Sequence, residues 1–279
     1  MFKKYSFEAT KIGKHILILG AVHGNEVAGT IAQHKLIELL ESDKIKLKSG
    51  KITFIPTVNV EAQKIDARFV DVNLNRVVCH HSNPSNNEER IANQLIKEID
   101  DCDIMLDLHS THCKNDRPFA FIDYPNKKNL ELLSLIPVND ALAGWPEIYE
   151  NQPISDFCTE RYANWQGKTG ITVECGYHKS EDAADIAVRS IINVLSFFDV
   201  IEEKWQQFSP NVVKLHSVIL KKYEGKMSFN YSHLTPIRKG DIIAVYDNGE
   251  KEISPIDGYI IMPNHGAVVN SEWFYYGCS

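Results

Sequence analysis

The 279-residue sequence contains no run of about 18 apolar residues, so we expect no membrane-spanning segment. It also has no internal repeat and no low-complexity tract. With 43% hydrophobic and 24% charged residues, the composition excludes a disordered chain and a collagen. The length allows one large domain, or a main domain with a small appendage, and a sizeable core.

Paired cysteines are lacking as well, because the six cysteines are scattered and form no CxxC pair. Residues 1–13 have neither the apolar stretch nor the small-residue cleavage site of a secretory signal. We therefore expect a cytoplasmic protein whose reduced cysteines pack as small hydrophobic side chains. The cysteines are Cys79, Cys102, Cys113, Cys158, Cys175 and Cys278.

Positive charge is in deficit, since 30 Lys and Arg residues oppose 37 Asp and Glu residues and give a net charge of −7. This balance argues against a nucleic acid or an anionic membrane as partner. If the substrate is anionic, positive groups must be concentrated locally, so we expect a positive cleft in a negative protein.

Up to about residue 204, apolar runs typical of strands alternate with segments of helical periodicity. This alternation favours an α/β fold, with a mixed central sheet and helices on both faces. We predict strands at 15–22, 51–58, 103–108, 119–122 and 171–175. We predict a helix capped by Asn25, helices at 88–99 and 180–198, a loop at 71–87, and a helix followed by irregular chain within 126–149.

After residue 204, short strand-like runs are separated by turn signals such as Lys239-Gly240 and Asn248-Gly249. We therefore predict two domains, a catalytic domain at 1–204 and a small all-β domain at 205–279.

The segment GAVHGNE lies where the first buried strand gives way to a helix. His23 and Glu26 are three residues apart across a turn, so both side chains can reach one point, and imidazole with carboxylate suits zinc. Gly24 would leave the backbone free to bend between them. A structural histidine and a glutamate that interacts with the helix dipole are the alternative interpretation.

The segment Asp107-Leu108-His109 ends another predicted strand. If this strand lies beside the first, His109 reaches the same edge as His23 and Glu26. Two histidines and one carboxylate, with a fourth position open to water, are the ligands of a catalytic zinc. Asp107 could orient a ligand, or it could be an ordinary polar residue at a strand end.

The loop ARFVDVNLNR combines two arginines, Arg68 and Arg76, with Asn73 and Asn75. Arginine presents a planar fork that matches a carboxylate, although a solvated basic loop is the alternative. Glu174 lies in the apolar strand ITVEC, where burial would raise the pKa of its carboxyl and suit it to act as a general base. The alternative is a solvent-exposed glutamate at a strand end.

The sequence resembles the aspartoacylase and succinylglutamate desuccinylase family, a branch of the zinc carboxypeptidase superfamily. The resemblance rests on four motifs that occur in this order: GAVHGNE, ARFVDVNLNR, DLH and VECG. The C-terminal segments IRKGDIIAVYDNGEKEISPIDGYIIMPN and NSEWFYYG resemble the β domain of aspartoacylases in particular. The resemblance implies a zinc carboxypeptidase-like catalytic domain whose cleft is covered by the β domain.

The resemblance also implies residue roles. It implies that His23, Glu26 and His109 bind one zinc ion, and that Glu174 is the base that activates water. Arg68 would polarise the scissile carbonyl and stabilise the oxyanion. Residues implied to bind substrate are Asn75 and Arg76 for the α-carboxylate, Arg161 for a second carboxylate, and Tyr275 from the β domain.

Two departures from the family pattern accompany these roles. The family usually has Asp-Leu-Asn-Arg where this chain has Asn73-Leu74-Asn75-Arg76, so a carboxylate near the site is lost. The spacing from Arg161 to Glu174 is a few residues longer than the family pattern. Of the remaining histidines, His80, His81 and His112 are weak candidate ligands, and His178 could lie at the rim of the cleft.

The leading hypothesis is a zinc-dependent amidohydrolase that cleaves N-acyl amino acids such as N-acetyl-aspartate. Succinylglutamate desuccinylase activity, carboxypeptidase activity on short peptides, and a catalytically inactive binding module are the alternatives. The resemblance of the C-terminal segment favours acyl-aspartate. Whether the chain forms a homodimer stays open.

Overall fold

The computed structural model describes residues 1–112, 114, 116–150 and 157–278, so Cys113 lies outside the described residues. The chain divides into two compact units, Met1–Ala141 with Ile154–Asn211, and Leu142–Pro153 with Val212–Ser279. The sequence did not indicate that residues 142–150 belong with the C-terminal part of the chain.

The first unit contains a mixed sheet, as the sequence predicts. Its strands follow one another in the order β1-β3-β2-β4-β7-β5-β6. The pairs β2–β3, β2–β4 and β4–β7 are parallel, whereas β1–β3 and β5–β7 are antiparallel. The strands are β1 (Tyr5–Glu8), β2 (His15–Gly20), β3 (Lys51–Ile55), β4 (Ile104–Thr111), β5 (Phe119–Phe121), β6 (Asp140–Ala143, at the boundary between the units) and β7 (Thr169–Tyr177).

Helices cover both faces of this sheet. In β2, Leu17 and Leu19 pack in one buried cluster with Leu95 of the third helix, while the alternating Ile18 is buried outside that cluster. Such alternation is required because successive side chains of a strand point to opposite faces. The helices are α1 (Ala28–Glu41), α2 (Val60–Lys64), α3 (Asn87–Asp101), α4 (Lys127–Leu133), α5 (Trp145–Tyr149, in the second unit), α6 (Thr159–Trp165) and α7 (Glu181–Phe197).

Two local predictions need correction. Asn25 does not cap α1, because that helix begins later, with Val27 at its N-cap and no side-chain hydrogen bond there. The part of 126–149 that was predicted to be irregular contains β6 and α5, which Pro137 and Pro146 concealed in the sequence. Pro146 in fact lies in the first turn of α5, where a missing N–H costs nothing.

The second unit is built from antiparallel strands in two sheets, ordered β8-β14-β13-β10 and β12-β11-β9. Its core holds Trp273, Phe274 and Tyr276 of β14, packed with Ile243 and Ile260. Gly249 has a φ of 89° in the tight turn after β11, which explains the Asn-Gly signal there. The strands are β8 (Asn211–Leu220), β9 (Gly225–Met227), β10 (Thr235–Ile237), β11 (Ile242–Tyr246), β12 (Lys251–Ile253), β13 (Gly258–Ile261) and β14 (Glu272–Cys278).

Within the described ranges, no helix has the length and apolar character needed to cross a membrane. The five described cysteines are all free thiols. Cys102 and Cys175 are buried as predicted, whereas Cys79, Cys158 and Cys278 are half-buried.

Candidate metal centre and active site

The topology of the sheet brings His23, Glu26 and His109 together. Strands β2 and β4 are parallel neighbours, with Gly20 opposite Leu108, so their carboxyl ends lie side by side. His23 and Glu26 follow the end of β2, and His109 lies near the end of β4. All three are buried, and one potential ligand atom from each lies within 4.8 Å of the others.

The atoms that face one another are the Nδ1 atoms of both histidines and the carboxylate of Glu26. Glu26 Oε1 lies 3.0 Å from His23 Nδ1, and Glu26 Oε2 lies 2.8 Å from His109 Nδ1. The two Nδ1 atoms are 3.1 Å apart. Two imidazole nitrogens and a carboxylate therefore share one small volume.

The outer nitrogens of both rings are held by oxygen acceptors. His23 Nε2 lies 2.9 Å from Asn73 Oδ1, and His109 Nε2 lies 3.0 Å from Asp107 Oδ2. Thr159 donates its hydroxyl proton to the same Asp107 oxygen. An acceptor at each Nε2 favours the tautomer with the proton there, which directs the Nδ1 lone pairs inward.

This donor set fits a divalent cation. Two inward lone pairs beside a carboxylate repel one another unless a proton or a metal ion lies between them. Burial, followed by the charge of Arg68, lowers the pKa of His23 to about 4 and keeps its ring neutral. Burial would lower the pKa of His109 too, but Asp107 and Glu26 raise it well above the usual value, so this ring holds the proton that a metal would displace.

Gly24 is required by a close approach of α2. A Cβ at this position would lie 2.3 Å from the carbonyl carbon of Ala62 and 2.3 Å from the nitrogen of Gln63. The Gly24 N–H also donates to the carbonyl of Arg68, 3.1 Å away. Glycine is therefore required by the lack of space beside α2, and not by the backbone freedom that the sequence alone suggests.

The loop that carries Arg68 and Asn75 reaches the three-residue cluster. Arg68 Nη1 lies 2.6 Å from Glu26 Oε1, while about half of the Arg68 side chain stays exposed. Asn75 Nδ2 lies 3.3 Å from His109 Nε2, and Asn75 Oδ1 accepts from the Thr159 N–H. Arg76 Nη1 donates to the Asn75 carbonyl.

Glu174 is brought to the same edge by β7. It pairs with His109 in the register between β4 and β7. Its Oε2 atom is buried and has no hydrogen-bond partner among the described residues. Burial, followed by the negative charge of Glu26, raises the pKa of Glu174 to about 8. This carboxyl can therefore exchange a proton near neutral pH.

Arg161 and Tyr275 are in different surroundings. The Arg161 guanidinium lies over the rings of Phe157 and Trp165, with centroid distances of 4.9 and 4.7 Å. The Tyr275 hydroxyl lies 2.9 Å from that of Tyr149, within the second unit. The substrate-binding roles of Arg161 and Tyr275 stay predictions.

Within the described part of the chain, the cluster of His23, Glu26 and His109 is the one group arranged to bind a metal. His81 instead lies 2.8 Å from the Val77 carbonyl and 3.4 Å from Cys79 Sγ. The sequence does not reveal the contact between Asn73 and His23, because the family pattern marks position 73 only as the place of a lost carboxylate. Thr159, the donor to Asp107, has no sequence signal that could have revealed it.

Comparison with known proteins identifies the family of the chain. The profile of the succinylglutamate desuccinylase/aspartoacylase catalytic domain matches residues 12–198, which is more than half of the chain. The chain therefore belongs to the succinylglutamate desuccinylase/aspartoacylase family, whose members are deacylase-type hydrolases. No curated protein sequence gives a significant match.

Solved structures share the fold at low sequence identity. A product-bound ectoine utilization protein EutE (DoeB) from Ruegeria pomeroyi matches with a TM-score of 0.79 and 18% identity, over 99% of this chain and 88% of that one. A succinylglutamate desuccinylase/aspartoacylase from Rhodobacter sphaeroides matches with a TM-score of 0.79 and 17% identity, over 100% and 89%. A succinylglutamate desuccinylase from Vibrio cholerae matches with a TM-score of 0.79 and 16% identity, over 99% and 85%.

The fit of Gly24 against α2 gives a prediction for stability. Gly24→Ala should lower the free energy of unfolding by about 1–3 kcal/mol or more, because the added methyl group overlaps backbone that cannot easily move. Urea denaturation measures this change. Gly266→Ala is the control, since its Cβ would meet only Asn264 Oδ1 at 3.7 Å. Equal stability of the two variants would contradict the explanation.

Proposed function

We propose that the protein is a zinc-dependent hydrolase that cleaves the amide bond of N-acyl amino acids, giving a free acid and an amino acid. The observation that carries this proposal is the convergence of His23, Glu26 and His109 beside Glu174. Two histidines and one carboxylate leave room at a zinc ion for water and substrate. Glu174 supplies a proton-transfer group at the position opposite His109.

The proposed mechanism assigns one task to each residue. Zinc held by His23, Glu26 and His109 would supply Lewis acidity that lowers the pKa of water to about 7. Glu174 accepts the proton of the attacking water and returns it to the leaving amine. The Arg68 guanidinium stabilises the negative charge that develops on the carbonyl oxygen.

Glu174 is suited to both proton transfers by its place beside the metal-binding cluster. Without a metal, burial and the charge of Glu26 raise the pKa of Glu174 to about 8, and the positive charge of a bound zinc ion would lower this pKa and leave the carboxylate ionised, ready to accept a proton. The Oε2 atom of Glu174, which has no hydrogen-bond partner among the described residues, is the atom that would carry this proton.

We propose a small anionic substrate, with N-acetyl-aspartate preferred on the resemblance of the C-terminal segment. Asn75 and Arg76 would bind the α-carboxylate, and Arg161 and Tyr275 would contact the rest of the molecule. Succinylglutamate and short peptides are the alternative substrates. We further propose that the protein works in the cytoplasm, which the free described cysteines support.

A substrate panel tests the proposal directly. Zinc-loaded protein should contain one zinc per chain and should release acid and amine from acetyl-aspartate, succinyl-glutamate or acetylated aromatic amino acids. Chelation should stop the reaction, and added zinc should restore it. Release of C-terminal residues from short peptides would instead favour a carboxypeptidase. If all N-acyl amino acids remain intact, the proposed function is wrong.

Replacement of Glu174 separates proton transfer from metal binding. Glu174→Gln should lower kcat at least about 100-fold, because the amide cannot accept the proton. Zinc content, measured by atomic absorption, should stay at the wild-type level. Glu61→Gln is the control, since Glu61 is exposed on α2 and, among the described residues, forms an ion pair only with Lys64. An unchanged rate in Glu174→Gln would remove Glu174 from the mechanism.

Replacement of Asp107 tests the support of His109. Asp107→Asn should weaken zinc binding by about 10–100-fold, because the carboxylate that orients the ring and makes it a better ligand is lost. Competition with a chromogenic chelator measures the zinc affinity. Asp185→Asn, at an exposed position of α7, should bind zinc as tightly as the wild type. The assigned role of Asp107 fails if both variants behave alike.

A further inference from the structure

Glu88 is a fully buried acidic residue that the proposed mechanism does not use. It lies in the first turn of α3, where an acidic residue would normally face solvent and interact with the helix dipole. Its neighbour Glu89 is partly exposed and accepts hydrogen bonds from the backbone and hydroxyl of Ser85. Glu88 points instead to the loop 67–76.

The carboxylate of Glu88 binds three consecutive backbone N–H groups of this loop. Glu88 Oε1 accepts from the Val70 N–H at 2.8 Å. Glu88 Oε2 accepts from the N–H groups of Asp71 at 3.1 Å and Val72 at 3.2 Å. Asn59 adds a side-chain donor to Oε1 at 2.9 Å. One side chain therefore satisfies most of the backbone donors in the middle of the loop.

The carboxylate is ionised in this arrangement. Burial alone would raise the pKa of Glu88, but the hydrogen bonds from Val70, Asn59, Asp71 and Val72 outweigh burial and lower it below the usual value. Hydrogen bonds to a charged acceptor are stronger than those between neutral groups. The backbone of the loop is consequently fixed by the charge of Glu88.

The three fixed N–H groups lie between the residues that contact the metal centre. Arg68, on one side, reaches Glu26, and Asn73, on the other, reaches His23. Asn75 and Arg76 follow directly, and Asn75 is within 3.3 Å of His109. A shift of the loop at Val70–Val72 would therefore move the residues proposed to bind substrate.

We propose that Glu88 is a positioning residue that holds loop 67–76 so that Arg68, Asn75 and Arg76 can engage the substrate. The proposal rests on the proposed function. Glu88 acts through the loop and does not itself contact the zinc ligands. Its loss should therefore affect substrate binding more than zinc binding, because the three zinc ligands lie outside the loop and only the contacts of Asn73 and Arg68 to them would weaken.

The test compares Glu88→Gln with Glu89→Gln in the zinc-loaded protein. Both substitutions remove one negative charge from the first turn of α3, so effects of the helix dipole and of net charge are matched. In Glu88→Gln the side-chain NH₂ group would face a backbone N–H group of the loop, and two donors cannot form a hydrogen bond with each other. We expect KM for the substrate found in the panel to rise at least about tenfold, and zinc affinity to fall by less than KM rises.

Hydrogen exchange supplies a readout that does not need turnover. The amides of Val70, Asp71 and Val72 should exchange at least about tenfold faster in Glu88→Gln than in the wild type, because their acceptor is weakened. Glu89→Gln should leave these amides and KM at wild-type values. If Glu88→Gln does not fold, Glu88→Asp keeps the charge but shortens its reach, and the same changes are expected.

Three results would overturn the proposal: an unchanged KM in Glu88→Gln, an equal change in Glu89→Gln, or a loss of zinc affinity as large as the rise in KM. If the wild-type protein cleaves no N-acyl amino acid, the proposed function fails on its own. In that case, unchanged exchange at residues 70–72 would still show that Glu88 does not hold the loop.

Discussion

The carboxylate of Glu26 is the group on which the rest of the candidate site depends. It lies within hydrogen-bond distance of His23, His109 and Arg68, and it accepts the Ser110 N–H. These partners come from the end of β2, the end of β4 and the loop 67–76. They meet because β2 and β4 are parallel neighbours, since only parallel strands place both carboxyl ends at one edge.

Two glutamates at this edge, Glu26 and Glu174, have opposite protonation behaviour. Burial favours the neutral form of both, but the two histidines hold the pKa of Glu26 well below its usual value. Glu174 has the negative charge of Glu26 as its neighbour, so its pKa rises to about 8. One carboxylate is thus suited to bind a cation and the other to carry a proton, and the difference arises from their neighbours.

The sequence predicts the parts of this protein that follow from periodicity and strand ends. Long apolar or amphipathic segments such as β2, β4 and α7 are predicted because burial demands a fixed pattern of side chains. The convergence of His23, Glu26 and His109 follows once β2 and β4 are assumed to be adjacent. Short elements such as α5 are missed because a helix of one turn has no readable period.

The contacts that support the site are harder to predict. Thr159 and Glu88 are distant in sequence from the residues they hold, and neither belongs to a motif. Gly24 stands out within the GAVHGNE motif, but the reason for glycine there, the approach of α2, depends on packing that a single motif does not reveal.

The different partners of the two histidine rings have a consequence for the approach of ligands. His109 is backed by the carboxylate of Asp107, whereas His23 is backed by the neutral amide of Asn73. The family pattern has an aspartate at position 73. An aspartate there would add another fixed anion in contact with His23, one of the three residues of the metal-binding cluster. Because Asn73 keeps the geometry without that anion, a negatively charged molecule meets weaker electrostatic repulsion on the His23 side of the centre.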